Sequence, residues 1–163
     1  MINIKKVVIN IGVGEGGERL ERAERMLQQL VGQKPGRTTA TKTIRDWGIR
    51  KGVPIGCKVT LRKARAEEFL RKALPILDNK LWAPSFTENG VSFGITDHTE
   101  FPDMRYDPSV GIFGMDVSVT LARPGARVAL RRQSPHRIPK RHRVSEKEGI
   151  DFFSSRFGIE AIE

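Results

Sequence analysis

The chain has 163 residues, with 29 Lys+Arg against 19 Asp+Glu, a formal net charge of +10 and a pI near 10.3. That length suits one compact domain, and its apolar residues plus 16 glycines suffice for a core, which excludes a disordered polybasic tail. A single cysteine, Cys57, excludes an internal disulfide framework or cysteine-based zinc cluster, and no apolar run nears the roughly 18 residues of a membrane span. The N-terminus lacks a signal-peptide core, so the expectation is a soluble, intracellular, cytoplasmic protein that binds a polyanion.

Taken in chain order, Val7 to Val13 is β-branched and alternating, and reads as a strand. Gly12-Val13-Gly14-Glu15-Gly16-Gly17 follows as G-x-G-x-x-G. It reads either as a tight strand-to-helix turn or as a dinucleotide fingerprint. The missing acidic residue on the next strand and the repelling Glu15 weigh against the nucleotide. Glu18 to Val31 carries Leu20, Ala23, Leu27, Leu30 and Val31 on one helical face, with Gly32 as a stop. Arg37 to Lys42 is a weaker, Thr-rich strand candidate. Gly48 to Gly56 reads as a long Gly/Pro loop with Arg50 and Lys51 at its centre. Trp47 before it is suited either to stacking on a base or to packing at the loop's root.

Cys57 to Arg62 alternates, as do Val91 to Thr96 and Met115 to Leu121, while Ala66 to Leu74 is helical up to Pro75. Ser145-Glu146-Lys147-Glu148 is a capping box that opens a helix to about Phe157, stopped by Gly158. The result is an α+β fold: one mainly antiparallel sheet with helices over one face and the other face open, polar and basic. The core face holds Ile9, Ile11, Val13, Cys57, Val59, Leu61, Val91, Phe93, Ile95, Met115, Val117, Val119 and Leu121. The open face holds Asn10 and the row Lys58-x-Thr60-x-Arg62, residue types that hold phosphates and riboses. A core domain over 1–122 is expected, with a basic extension and final helix, 123–163, packed on it.

The charge is uneven. Residues 34–72 hold 12 basic and 3 acidic side chains, net +9, and residues 123–147 hold 9 and 1, net +8. Between them, residues 73–122 hold 2 and 7, net −5. Two such blocks point to polyanion binding rather than to a merely solvated surface. The second contains Arg131-Arg132 and Lys140-Arg141-His142-Arg143. It reads as an RNA-contacting extension, or else as a flexible basic loop or nuclear address. Catalysis finds little support: no serine has an evident base, and Cys57 falls on the core face. Asp97, Glu100, Asp103 and Asp107 match no metal-ligand spacing, so neither a metal nor a cofactor is expected.

Several motifs carry a resemblance. Lys6-Val7-Val8-Ile9-Asn10-Ile11-Gly12-Val13-Gly14-Glu15, Gly32-Gln33-Lys34-Pro35 with Thr41-Lys42, and Ile49 to Arg62 resemble the large-subunit ribosomal protein L5 family. So do Phe101-Pro102-Asp103 with Tyr106-Asp107 and Gly114-Met115-Asp116-Val117, in the family's order across about residues 4–122. The basic stretch and last helix resemble its archaeal and eukaryotic branch, and the helical N-terminal extension of bacterial members is missing. The resemblance implies a structural, non-catalytic protein of the ribosome's central protuberance. It would bind 5S rRNA, attach it to the large subunit, contact large-subunit rRNA and meet neighbouring large-subunit proteins. No small-molecule substrate or membrane is implied.

Asn10, Gln33, Trp47 and Thr60 match the family's 5S-contacting positions. Beside them, Lys34, Lys58, Arg62, Arg131, Arg132, Lys140, Arg141 and Arg143 are expected to serve rRNA. The loop with Arg50, Lys51, Gly52, Val53 and Pro54 resembles the one that approaches P-site tRNA. Asp97, Glu100, Asp103 and Asp107 are the candidates for a bridge to a basic small-subunit protein. The competing readings are a non-ribosomal RNA- or tRNA-binding module or RNA chaperone, and a dinucleotide enzyme.

Overall fold

The β-branched run at the start forms β1, Asn3–Gly12, in a computed structural model whose described residues are 1–108 and 110–162. It begins four residues earlier than the apolar pattern does, because ladder hydrogen bonds do not depend on side-chain polarity. The next elements are α1 (Glu18–Val31), β2 (Gly36–Thr39), β3 (Pro54–Leu61) and α2 (Ala64–Ala73). They are followed by β4 (Lys80–Trp82), β5 (Phe86–Thr87), β6 (Gly90–Ile95), β7 (Met115–Ala122), α3 (Glu146–Phe157) and β8 (Glu160–Ile162). Six strands hydrogen-bond in the order β2-β3-β1-β7-β6-β5, and β4 pairs with β8 in a separate parallel ribbon. The fold is α+β, with a mainly antiparallel six-stranded sheet and three helices.

The chain divides into two compact units. One comprises Val8–Thr60 and Gly94–Val117; the other comprises Met1–Val7, Leu61–Phe93 and Ser118–Glu163.

In the first unit, α1 buries Leu20, Ala23, Met26 and Leu27, and its C-cap Gly32 takes the left-handed conformation that ends the helix. Burial of each large side chain of that stripe contributes roughly 1.5–3 kcal/mol. Ile9, Ile11, Cys57, Val59, Ile95, Met115 and Val117 are buried as the alternation predicts, whereas Val13, one residue past β1, is half-buried. The glycine-rich segment is a turn: Gly14 and Gly17 have φ of +82° and +91°, values that L side chains avoid. β3 lies between β1 and β2 in the sheet, so the adjacent parallel strands of a dinucleotide-binding unit are not formed here.

β3 starts at Pro54, so Pro54-Ile55-Gly56 belong to a strand rather than to the long loop; proline is tolerated as a strand's first residue. The strand expected over 37–42 is confined to Gly36–Thr39, and β3 stops at Leu61, one residue short of Arg62.

In the second unit, α2 begins at Ala64 after Lys63 and ends at Ala73 with Leu74 as its cap, and Pro75 opens a 3-10 turn, Pro75–Leu77. α3 has the predicted capping box, with Ser145 Oγ accepting from Glu148 N–H and the Glu148 carboxylate accepting from Ser145 N–H. Its Gly149 sits against Phe86 and Leu121, and Phe153 meets Phe86 edge-on at 5.9 Å between ring centroids. The segment 123–145 carries only two 3-10 turns, Ala126–Ala129 and Lys140–His142.

Candidate nucleic-acid interface

Side chains alternate across a strand, so the buried set dictates the exposed one. In β1, Asn10 stands half-buried between buried Ile9 and Ile11. In β3, Lys58 is exposed and Thr60 half-buried, with Cys57, Val59 and Leu61 on the opposite face. Val13 and Gly14 N–H both donate to Ile55 O, at 3.0 and 2.9 Å, and Ile11 O faces Gly56. Residue numbers thus fall along β1 as they rise along β3, and Asn10 and Lys58 share the outward face of adjacent antiparallel strands.

On the other side of β3, Gly36 is opposite Lys58 and Arg37 opposite Cys57. Chain direction then carries Gln33 (half-buried) and Lys34 (exposed) toward the Thr60 end of β3. Lys34, Lys58 and Arg62 make no ion pair among the described residues. Arg37 differs: its guanidinium holds both Glu24 carboxylate oxygens, Nε to Oε1 at 2.6 Å and Nη2 to Oε2 at 3.0 Å. That hydrogen-bonded pairing raises the Arg37 pKa further and commits its charge to the protein.

The basic loop is a hydrogen-bonded double turn. Ala40 N–H donates to Val53 O, and Gly52 N–H to Ala40 O, both at 2.9 Å. Farther out, Ile44 and Ile49 exchange N–H···O bonds at 2.8 and 3.0 Å, closing the tip Arg45–Gly48. Thr43 Oγ1 accepts from Lys51 N–H at 3.1 Å, a positioning bond with no sequence signature beyond threonine's habit of binding nearby backbone. Arg50, Lys51, Gly52 and Val53 are all exposed, whereas Pro54 is half-buried in β3. Trp47 is 73% exposed, so it does not pack at the loop's root and presents its ring outward. Arg45, which the sequence reading passed over, is exposed in the same tip.

The acidic candidates take different roles. Asp97 caps the 3-10 turn His98–Glu100, and the Thr99 N–H bond to its carboxylate holds its pKa below the usual range. Glu100, Asp103 and Asp107 are exposed, and the last two have interactions of their own. His98 is buried, and its Nδ1 accepts from Phe113 N–H at 3.3 Å, so the ring is structural and its neighbour Asp97 activates nothing. Burial pushes the Cys57 thiol up to about 11, which leaves it protonated and unreactive. No group of three or more His, Cys, Asp or Glu among the described residues can hold a metal, and no described helix is long and apolar enough to cross a membrane.

In the second unit, Arg131, Arg132, Lys140 and Arg141 are exposed, and Arg131 Nε donates to Ser134 O at 3.0 Å. Arg143 is half-buried and paired with Glu88 at 2.8 Å, so it braces the segment. Arg123 pairs with Glu148, whose pKa is lowered first by Ser145 N–H and then by that arginine. Sequence reading did not separate these bracing arginines from the free ones, because their partners lie 25 and 55 residues away.

Comparison with known proteins bears on this surface. The family model for the ribosomal L5 family C-terminus matches residues 54–152, and the model described as Ribosomal protein L5 matches residues 1–50. The chain is similar to the large ribosomal subunit protein uL5 of Sulfurisphaera tokodaii, at 54% identity over 99% of this chain and 93% of that protein. It is 50% identical to the uL5 of Sulfolobus acidocaldarius, over 98% of this chain and 90% of the relative. Against the uL5 of Methanoculleus marisnigri it is 49% identical, over 98% and 96%.

Proposed function

We propose that this chain, which belongs to the ribosomal protein L5 family and is a structural, non-enzymatic constituent of the large subunit of the cytoplasmic ribosome, binds 5S rRNA through the exposed face of its sheet. The observation that carries this reading is the outward face of β1 and β3. It sets the hydrogen-bonding Asn10 and Thr60 beside the unpaired Lys58, with Gln33 and Lys34 at the same end of β3. Cations neutralise phosphates and release counterions, while amide and hydroxyl groups meet riboses, phosphates and base edges. RNA helices are read there mostly by shape and 2′-hydroxyls.

By this reading the protein attaches 5S rRNA to the large subunit in the central protuberance. Arg131, Arg132, Lys140 and Arg141 hold large-subunit rRNA, with Arg143 bracing them. Arg50 and Lys51, on a loop stiffened by its own hydrogen bonds, reach P-site tRNA, and the exposed Trp47 offers a ring for stacking. Glu100, Asp103 and Asp107 face a basic small-subunit protein, with Asp97 holding the turn that presents them.

The test is filter binding of the full chain to transcribed 5S rRNA and to an unrelated RNA duplex. Tighter, steeply salt-dependent binding to 5S rRNA is expected. Asn10→Ala with Thr60→Ala is expected to weaken it by about tenfold or more, as lost hydrogen bonds of ~1–1.5 kcal/mol each imply. Equal affinity for both RNAs at physiological salt overturns the reading, and a large fall in Tm in the double variant would make that face structural.

A further inference from the structure

In the second unit, where β7 runs into the basic segment, a pocket of about 320 Å³ opens. It is lined by Lys5, Arg123, Arg137, Arg143 and His142, gathered from β1 and the segment after β7. Apolar Ile138, Ala126 and Ala129 line it as well. No run in the sequence announces this cluster, since its members span residues 5 to 143.

Two of its four cations are committed, Arg123 to Glu148 and Arg143 to Glu88. Lys5 and Arg137 pair with no carboxylate among the described residues. The Nε–H of Arg123 is buried and finds no acceptor among the described residues, an unusual state for a charged donor and a costly one. His142 Nε2 lies 2.9 Å from Pro124 O and so donates there.

An excess of two positive charges together with apolar Ile138, Ala126 and Ala129 asks for a ligand that carries both acceptor oxygens and an apolar ring. The volume is that of a small-ligand site, at the lower end of the ~300–1,000 Å³ range, and admits no helix or duplex. We propose that this pocket takes one unpaired nucleotide, its phosphate held by Lys5 and Arg137, its base laid against Ile138, Ala126 and Ala129. It rests on the RNA-binding reading above for the source of that nucleotide, a residue splayed out of rRNA, the form in which RNA sequence is read.

The experiment is an NMR titration of the full chain with UMP, AMP, inorganic phosphate and a single-stranded oligouridylate. Saturable shifts are expected at the amides of Arg123, Ala126, Ala129 and His142, with inorganic phosphate binding more weakly than the nucleotides and the oligouridylate more tightly than UMP. Lys5→Ala with Arg137→Ala is expected to weaken nucleotide binding by about tenfold or more with Tm unchanged, the loss of two charge-assisted contacts. If that variant unfolds, Lys5→Gln alone is read the same way.

No saturable shift by about 10 mM nucleotide, weaker than a ligand of this size needs, overturns the pocket. So do shifts scattered over all basic residues, and so does a hexaglutamate peptide binding as well as the nucleotides, which would assign the pocket to an acidic protein tail. UMP binding more tightly than the oligouridylate overturns its RNA source. A chain that saturates with UMP but does not hold 5S rRNA keeps the pocket and loses the earlier reading; the reverse result keeps the reading and loses the pocket.

Discussion

At Gly56 the strands that carry the interface approach closely, and Gly56→Ala measures how closely. A Cβ at this position would stand 2.6 Å from Ile11 O and 2.9 Å from Thr38 Oγ1. The threonine hydroxyl can rotate away. The Ile11 carbonyl cannot, because it is backbone of the central strand β1, and relieving an overlap of that size displaces β1 from β3. Overpacking of this kind costs about 1–3 kcal/mol, and the alanine regains about 0.5–1 kcal/mol by restricting the unfolded chain. At the middle of both ranges the net loss is about 1 kcal/mol, which for a chain of this length lowers Tm by about 2–4 °C.

Gly12→Ala is the control. Gly12 ends β1, its φ is not in the left-handed range, and a Cβ there meets nothing within 4 Å. It should leave Tm unchanged or slightly raised. Thermal unfolding followed by circular dichroism on the wild type and both variants decides the matter. A Gly56→Ala protein as stable as wild type, or two variants falling equally, refutes the claim that close approach of β1 and β3 makes this glycine necessary.

Two other outcomes are expected. Lys34→Ala and Lys58→Ala should each reduce the slope of log affinity for 5S rRNA against log salt by about one, while Arg37→Ala leaves it unchanged; a slope lost through Arg37 instead would mean that the Glu24 pair opens in the complex. Asp97 and Glu148 have pKa values depressed in the folded state, so their stabilisation is complete above their unfolded values of about 3.9 and 4.3 and disappears as pH falls through the folded ones. Tm should therefore be level from neutral pH to about pH 5 and fall below about pH 4, with Glu148→Gln showing a smaller fall; a Tm level down to pH 3 would contradict this.

What could be read from the sequence was whatever repeats locally. α1 runs over Glu18–Val31 and α3 ends at Phe157, because a glycine stop and a capping box are written in adjacent residues. The core face of the sheet was readable because period two admits one assignment, and with it the exposure of Lys58. What was not readable depends on distant partners. β4 and β8 are three residues each and exist only because Leu81 meets Ala161 across 80 residues of chain. Pro54 joins β3 because β2 and β1 flank it, although its own composition is that of a loop. The pocket around Lys5 and Arg137 was invisible for the same reason.

The ion pairs alter what the net charge of +10 means for binding. RNA affinity follows the number of phosphates neutralised with release of their counterions, not the formal charge. An arginine already seated on a carboxylate has exchanged its counterion for a protein partner and adds little when RNA arrives. Arg37, Arg123, Arg143 and Arg156 are of that kind, held by Glu24, Glu148, Glu88 and Glu67. All four pairs join elements distant in sequence, so these charges position backbone. Lys34, Lys58, Arg50 and Lys51 make no such pair among the described residues, and they lie on or beside the exposed sheet face and the loop tip. The two kinds are interleaved along the basic blocks, with Arg37 three residues from Lys34 and Arg143 two from Arg141. Substituting a paired arginine should thus act mainly on stability, and substituting an unpaired one mainly on the salt dependence of RNA binding.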